Sequence, residues 1–119
     1  MLPASVRVFL AARPLDLRKS FDGLAAATRE LLAQEPLSGH LFVFLNKRRN
    51  RVKILVWDRN GFWLMCKRLE RGVFRSPGRE GQVEIDATEL GLMLDGIDLA
   101  GAKRRPRWAP QKSTVAALT

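Results

Sequence analysis

The 119 residues of this chain provide for one hydrophobic core, so we expect a single domain and not a multidomain enzyme. Lys and Arg number 21 against 12 Asp and Glu, which gives a formal charge of +9, while 46% of the residues are apolar. This composition is typical of a folded basic protein. One cysteine and one histidine exclude a disulfide framework and a zinc site built from several Cys and His ligands.

No membrane span or secretion signal is predicted. Apolar runs stay well short of the ~18 residues that a spanning helix needs. Arg7 and Arg13 interrupt the N-terminal segment, which is therefore unlike the uninterrupted apolar region of a signal peptide. The expected compartment is the reducing cytoplasm.

The first predicted elements are a strand and a long helix. Apolar residues alternate with other side chains over residues 6–10, which is the period of a strand. From Asp16 to about Gln34 the apolar residues recur at helical spacing, and Asp16 is expected to cap the first turn. Pro36 is expected to end this helix.

Three apolar runs separated by two turn segments then predict an antiparallel β-meander. The runs are residues 41–45, 52–57 and 62–69, and the turns are Asn46–Asn50 and Asp58–Gly61. If the connections between these runs hold an even number of residues, the cross-strand neighbours are fixed in parity and the residues of each face can be assigned.

The two faces of this sheet differ in composition. The first face contains Leu41, Val43, Leu45, Val52, Ile54, Val56, Trp63, Met65 and Leu69. Lys67 is its only charged residue, so we expect it to be buried beneath the long helix. The second face contains Phe42, Phe44, Leu55, Trp57, Phe62 and Leu64 together with Arg51, Lys53 and Arg68. Two interpretations are open: the second face binds single-stranded nucleic acid, or it is covered by the first strand or the C-terminal helix.

A second, shorter helix is predicted near the C-terminus. Asp86 followed by Glu89 matches a capping box, which begins a helix from Ala87 to about Asp95. Gly96 stands where a left-handed residue commonly ends a helix.

The expected fold is therefore a single small α+β domain over residues 1–101, with the long helix packed on the antiparallel β-meander and a short C-terminal helix. Residues 83–85 are expected to add a short strand. The basic segment 102–119 is expected to be a flexible tail.

Charge is distributed in blocks along the chain. Residues 47–79 contain eleven basic and two acidic side chains, residues 80–98 contain six acidic and no basic ones, and residues 99–119 contain five basic and no acidic ones. Such blocks favour a localised surface for a polyanion, with a solvated basic hairpin as the alternative. Cations would neutralise phosphates and aromatic rings would stack on bases. The candidate nucleic-acid-binding residues are Lys47, Arg48, Arg49, Arg51, Lys53, Trp57, Phe62, Lys67, Arg68, Lys103, Arg104 and Arg105.

Catalytic chemistry is not expected. His40 and Cys66 are the candidate base and nucleophile, and each has an ordinary structural role at a strand start or within a strand. Asp16, Asp22 and Asp58 have simpler roles as a cap, a helix-surface residue and a turn former than as metal ligands. The sequence has no glycine-rich phosphate loop and no zinc motif. We therefore predict no catalytic residue, no metal and no cofactor.

Several stretches in order resemble the Orf2-like accessory protein, often labelled TnpB, of bacterial insertion sequences of family sixty-six. These stretches are Asp16–Leu24 (DLRKSFDGL), Gly39–Asn46 (GHLFVFLN), Arg51–Asp58 (RVKILVWD) with Gly61, Lys67–Phe74 (KRLERGVF) and Leu94–Asp98 (LDGID). The resemblance implies a small companion of a separate transposase that is needed for efficient movement of the element. It does not imply catalysis.

The first functional hypothesis is a DNA-binding accessory subunit that contacts element ends or target DNA through the basic hairpin and sheet. The second is a protein-protein adaptor that joins the transposase to the other small accessory protein, with its charge used for docking on an acidic surface. A hydrolase that uses His40 or Cys66 is the third. The oligomeric state is left open by the sequence.

Overall fold

A computed structural model describes residues 5–76, 83–98 and 103–104, with side chains for 5–76 and 83–96. It contains two α-helices, one short 3-10 helix and seven strands within these residues. In chain order these are β1 (Val8–Leu10), α1 (Phe21–Leu32), the 3-10 helix Pro36–Ser38, β2 (Leu41–Leu45), β3 (Arg51–Asp58), β4 (Gly61–Arg68), β5 (Glu84–Ile85), α2 (Ala87–Leu94), β6 (Ile97–Asp98) and β7 (Lys103–Arg104).

Five of these strands form one mixed sheet in the order β4-β3-β2-β1-β5. The meander is present as β2, β3 and β4, and both of its strand pairs are antiparallel. The sheet is larger than predicted, because β1 pairs parallel with β2 and β5 pairs antiparallel with β1. A parallel neighbour requires a crossover connection, and α1 lies in the connection between β1 and β2. The chain is thus a small α+β domain with a mixed sheet.

The register within the meander agrees with the predicted faces. Val43 lies opposite Ile54, and Val56 lies opposite Trp63. Val52 and Ile54 are buried while Arg51 is exposed, as the predicted alternation requires. The assignment of residues to the two faces is therefore confirmed.

The assignment of the covering helices is wrong. α1 packs on the second face, where Leu24 and Leu32 lie in one core cluster with Phe42. Over β1, β2 and β3 the first face is covered instead by α2 and the segment that follows β4, through residues that include Met93 and Phe74. On β4 the expected burial is wrong, because Trp63 and Met65 are exposed. All five residues of β2 are buried, so both faces need a covering layer. Because both faces are apolar along β2, alternation alone does not say which helix covers which.

The first helix is shorter than predicted. It begins at Phe21 instead of Asp16, and it ends at Leu32 because Ala33 adopts the left-handed conformation with a φ of 52°. Its N-cap is Ser20, whose side chain makes no capping hydrogen bond. Asp16 therefore does not cap α1. It accepts a hydrogen bond from the backbone N–H of Arg18 in a turn that precedes the helix.

The second helix has the predicted start. The Asp86 side chain accepts a hydrogen bond from the Glu89 N–H at 2.7 Å, and the Glu89 carboxylate accepts one from the Asp86 N–H at 3.0 Å. Gly96 follows the helix with a φ of 78°, as predicted for its C-terminal end. Within the described part of the chain, no helix is long and apolar enough to cross a membrane.

The predicted tail is only partly described. Lys103–Arg104 form β7, which pairs antiparallel with Ile97–Asp98 in a separate two-stranded sheet. Residues 105–119, which make up most of the predicted tail, lie outside the described residues.

Candidate functional site

A cleft of about 1150 Å³ opens at the end of the sheet where β2 and β3 are joined. The segment before α1, the β2–β3 hairpin and the adjoining ends of β3 and β4 contribute its lining. Seven cations and two carboxylates lie in this lining: Arg18, Lys47, Arg48, Arg51, Lys53, Lys67 and Arg68 with Asp16 and Glu70. The cleft is therefore strongly basic. It brings most of the predicted hairpin cations together with Arg18, which is not among the predicted nucleic-acid-binding residues.

The hairpin that carries Lys47 and Arg48 is held by its two asparagines. The Asn46 Nδ2 donates to the Asn50 Oδ1 at 2.7 Å, and the Asn46 Oδ1 accepts from the Arg51 N–H at 2.9 Å. These hydrogen bonds join the two ends of the loop, so Lys47 and Arg48 project from a turn whose backbone is held in place.

Three cations of the cleft have no side-chain partner among the described residues, namely Lys47, Arg48 and Arg51. All three are exposed. Arg51 lies directly opposite Arg68 in the β3–β4 register, and like charges in such a position repel each other. Glu70 neutralises Arg68 through an ion pair of 2.8 Å. An anion at this end of the cleft would relieve the remaining repulsion and satisfy unused donors.

Two lysines of the cleft are held by backbone carbonyls. The Lys53 Nζ donates to the Lys19 carbonyl oxygen at 2.8 Å, which anchors β3 to the segment before α1. The Lys67 Nζ donates to the Leu94 carbonyl oxygen at 2.6 Å, at the last turn of α2. Lys67 thus stabilises a helix C-terminus on the other face of the sheet, although it borders the cleft.

Arg49 belongs to a different surface from the cleft. It adopts a left-handed conformation with a φ of 59°, and its guanidinium donates to the Ser76 Oγ at 2.9 Å. The Arg49 carbonyl oxygen accepts from the Phe74 N–H. This residue fixes the chain that follows β4, and it is not among the cleft's lining residues.

The aromatic candidates do not adjoin the basic cleft. Trp57 and Phe62 are cross-strand partners whose rings meet edge to face with centroids 5.0 Å apart, and both are half-buried. Trp57 is six residues from Arg51 along β3, which corresponds to roughly 20 Å of extended strand. Phe42 and Phe44 are fully buried beneath α1, so the interpretation of an open aromatic face is wrong for them.

The remaining candidates of the predicted site lie beyond the described side chains. Lys103 and Arg104 are placed as strand β7 without described side chains, and Arg105 lies outside the described residues.

Asp16 and Arg18 form an ion pair at the side of the cleft. The Arg18 guanidinium contacts both carboxylate oxygens of Asp16, the shortest contact being 2.6 Å. Hydrogen bonds from the Arg18 side chain and backbone lower the pKa of the Asp16 carboxyl from its ordinary value of 3.8 to about 2. The carboxylate is therefore ionised at neutral pH and neutralises one arginine of the cleft.

Changing Asp16→Asn should strengthen the binding of a polyanion such as duplex DNA. The substitution removes a negative charge from the cleft and frees the Arg18 guanidinium for a phosphate, so the slope of log affinity against log salt should steepen by about one. Fluorescence anisotropy across a salt series measures this. Asp22→Asn is the matched control, because it makes the same charge change on α1 outside the cleft's lining. Equal effects of the two variants would contradict a local role for Asp16.

His40 and Cys66 are not brought together. The His40 Nδ1 accepts from the Arg7 N–H at 3.0 Å, while Cys66 is exposed on β4. His40 directly precedes β2, and β3 lies between β2 and β4 in the sheet, where Cys66 lies opposite Lys53. No group of three or more His, Cys, Asp or Glu side chains within the described residues could hold a metal ion.

Comparisons with known proteins identify the family of this chain. The family model of the IS66 Orf2-like protein matches residues 6–104. The uncharacterized protein y4jC of Sinorhizobium fredii is 34% identical over 108 residues, which cover 90% of this chain and 92% of that protein. The uncharacterized protein y4hO of the same organism is 38% identical over 117 residues, covering 94% and 98%. No solved structure matches significantly. The match extends from β1 to β7, and the chain therefore belongs to the IS66 Orf2-like family.

Proposed function

We propose that this chain is a non-catalytic accessory protein in the transposition of a bacterial insertion sequence and that it contacts DNA through the basic cleft. Membership of the IS66 Orf2-like family supports the role in transposition. The single observation that supports DNA contact is the concentration of seven cations around one cleft, with Lys47, Arg48 and Arg51 free of side-chain partners among the described residues. The cytoplasm, where the element's DNA and transposase meet, is the corresponding compartment.

The expected contacts are with phosphates. Arginine guanidinium groups bind phosphate oxygens through two parallel N–H groups, and lysine ammonium groups add charge without a fixed geometry. Asparagine amides commonly read adenine in the major groove, but both polar atoms of the Asn46 amide are already used within the hairpin. We therefore expect the hairpin to position DNA with weak sequence preference.

The position of Trp57 and Phe62 argues against a stacking mode. Their rings pack against each other at the far end of β3 from the unpartnered cations. Phe42 and Phe44 are fully buried. A DNA backbone lying in the cleft would thus contact cations and none of these rings. The cleft therefore favours duplex DNA, whose charge density exceeds that of a single strand.

A salt titration with duplex and single-stranded DNA of equal length tests this proposal. Three to five phosphate contacts should lower duplex affinity by about fortyfold to five-hundredfold between 50 and 200 mM salt. The duplex should bind at least as tightly as the single strand at every salt concentration. Fluorescence anisotropy with labelled DNA measures both. Absence of duplex binding at 50 mM salt would refute DNA contact, and tighter binding of the single strand would restore the stacking mode.

An adaptor role is the second candidate, and one feature of the cleft favours it. Arg18 and Arg68 are both ion-paired with carboxylates, those of Asp16 and Glu70. The same arginines could bind Asp or Glu of an acidic segment in the transposase or in the other accessory protein. Such binding would also weaken with salt. It would differ from DNA contact in surviving nuclease treatment of a mixture of the purified proteins.

A further inference from the structure

Strand β4 forms a long edge of the sheet. It extends over eight residues, Gly61–Arg68, and among the described residues its strand neighbour is β3 alone. The opposite edge of the sheet is β5, which has two residues. Trp63 and Met65 of β4 expose 61% and 45% of their surface, although Trp is usually well buried. Long apolar edges without proline are sites at which sheets pair with further strands.

The outer side of β4 has a regular row of unused backbone groups. The Leu69 N–H donates to the Asn50 carbonyl oxygen, so the backbone of Leu69 faces the side of β3. In an antiparallel pair the N–H and C=O of one residue point the same way, and this direction alternates along the strand. The outward-facing residues are therefore Phe62, Leu64, Cys66 and Arg68.

The side chains of β4 are divided by chemistry along its length. The first half contains the aromatic residues Phe62 and Trp63, and the second half contains the cations Lys67 and Arg68. A parallel partner of the same sequence would place cations beside cations. An antiparallel partner would place each aromatic half beside a cationic half, where an aromatic face attracts a cation.

We infer that β4 is the dimer interface of this protein and that it pairs antiparallel with β4 of a second copy, in a register centred on Met65. In this register Trp63 lies opposite Lys67 of the second copy and Phe62 lies opposite its Arg68. Leu64 lies opposite Cys66 of the second copy. The backbone N–H and C=O groups of both residues point away from β3, as hydrogen bonds between the two β4 strands require. The Lys67 ammonium is already held by the Leu94 carbonyl, so its stem is fixed beside the strand.

The inferred dimer has a continuous ten-stranded sheet with a twofold axis between the two Met65 residues. Because this axis is perpendicular to the sheet, the same face of both copies lies on the same side of the dimer. Both basic clefts therefore lie on the same face, each near Arg68 at its own end of the paired strands. The dimer does not depend on DNA contact, but it would present both clefts to one polyanion.

The test is cysteine cross-linking of the full chain in a Cys66→Ser background. With Met65→Cys the two thiols stand directly opposite, at a Cα separation of about 4.5 to 5.5 Å that suits a disulfide. Mild oxidation should convert most of the protein to a covalent dimer on a non-reducing gel. Trp63→Cys is the matched control, because its two copies are offset by four residues, roughly 13 Å along the strand. It should remain uncross-linked.

Sedimentation velocity of unmodified proteins gives an independent readout. The parent and Cys66→Ser should sediment as dimers at micromolar concentration, while Met65→Lys, which sets like charges opposite each other at an exposed position, should sediment as a folded monomer. Cys66→Pro should also be monomeric, because it removes an outward N–H that β3 does not use. If the parent sediments as a monomer, the inference is overturned. This holds equally if another protein or residues 105–119 occupy the edge. Equal cross-linking of Trp63→Cys and Met65→Cys would overturn it as well.

Discussion

Replacing Lys47, Arg48 and Arg51 together by Gln should weaken duplex DNA binding by about a hundredfold or more near 0.1 M salt. The slope of log affinity against log salt should flatten by about three, because each lost phosphate contact removes about one released counterion. These cations are exposed at one end of the cleft and have no side-chain partner among the described residues, so their removal leaves no buried group unsatisfied. The melting temperature should therefore stay close to that of the parent.

The matched control is a second triple variant with the same loss of charge. Arg59, Arg71 and Arg75 are exposed and lie outside the cleft's lining, so their replacement by Gln lowers the net charge equally without touching the cleft. It should change affinity far less than the cleft variant. If both triple variants lose the same affinity, the charge acts as a diffuse field and the cleft is not the site. If neither loses affinity at any salt concentration, DNA contact through the cleft is refuted and the adaptor role takes its place.

Changing Phe42→Ala should lower the free energy of unfolding by about 3 to 5 kcal/mol. Phe42 is fully buried between β2 and α1, in one core cluster with Leu24 and Phe44, and truncation leaves a cavity that a close-packed core fills only in part. Such a loss is a large share of the roughly 5 to 15 kcal/mol that stabilises a typical domain. Urea unfolding followed by circular dichroism measures it.

Phe21→Ala serves as the comparison for this core substitution. Phe21 begins α1 and exposes 43% of its surface, so its truncation should cost about 1 kcal/mol or less. A loss of similar size for Phe42→Ala would mean that the aromatic face is open. The stacking interpretation of the second sheet face would then return.

Local patterns in the sequence determined the meander and the second helix. Two short turn segments and period-two alternation suffice to place Val43 and Ile54 on the same face, because the parity of a hairpin depends on loop length and on which residues avoid water. The Asp86–Glu89 capping box formed as predicted, since its partners are three residues apart. The prediction that Asp16 caps α1 is wrong, because a short carboxylate side chain accepts the same backbone hydrogen bonds when it caps a helix and when it closes a turn.

Only the tertiary structure decided what covers each face of the sheet and which cations share a cleft. β1 inserts beside β2 as a parallel strand, and the crossover carries α1 over Phe42 and Phe44 instead of over the opposite face. The same crossover brings Arg18 to the hairpin cations, about thirty residues away along the chain. The sequence located the basic block, but the hydrogen bonds of Lys67 to the Leu94 carbonyl and of Lys53 to the Lys19 carbonyl depend on neighbours set by folding. The sequence alone therefore shows how many charges a segment contains, whereas tertiary contacts decide which of these charges are free to bind an anion.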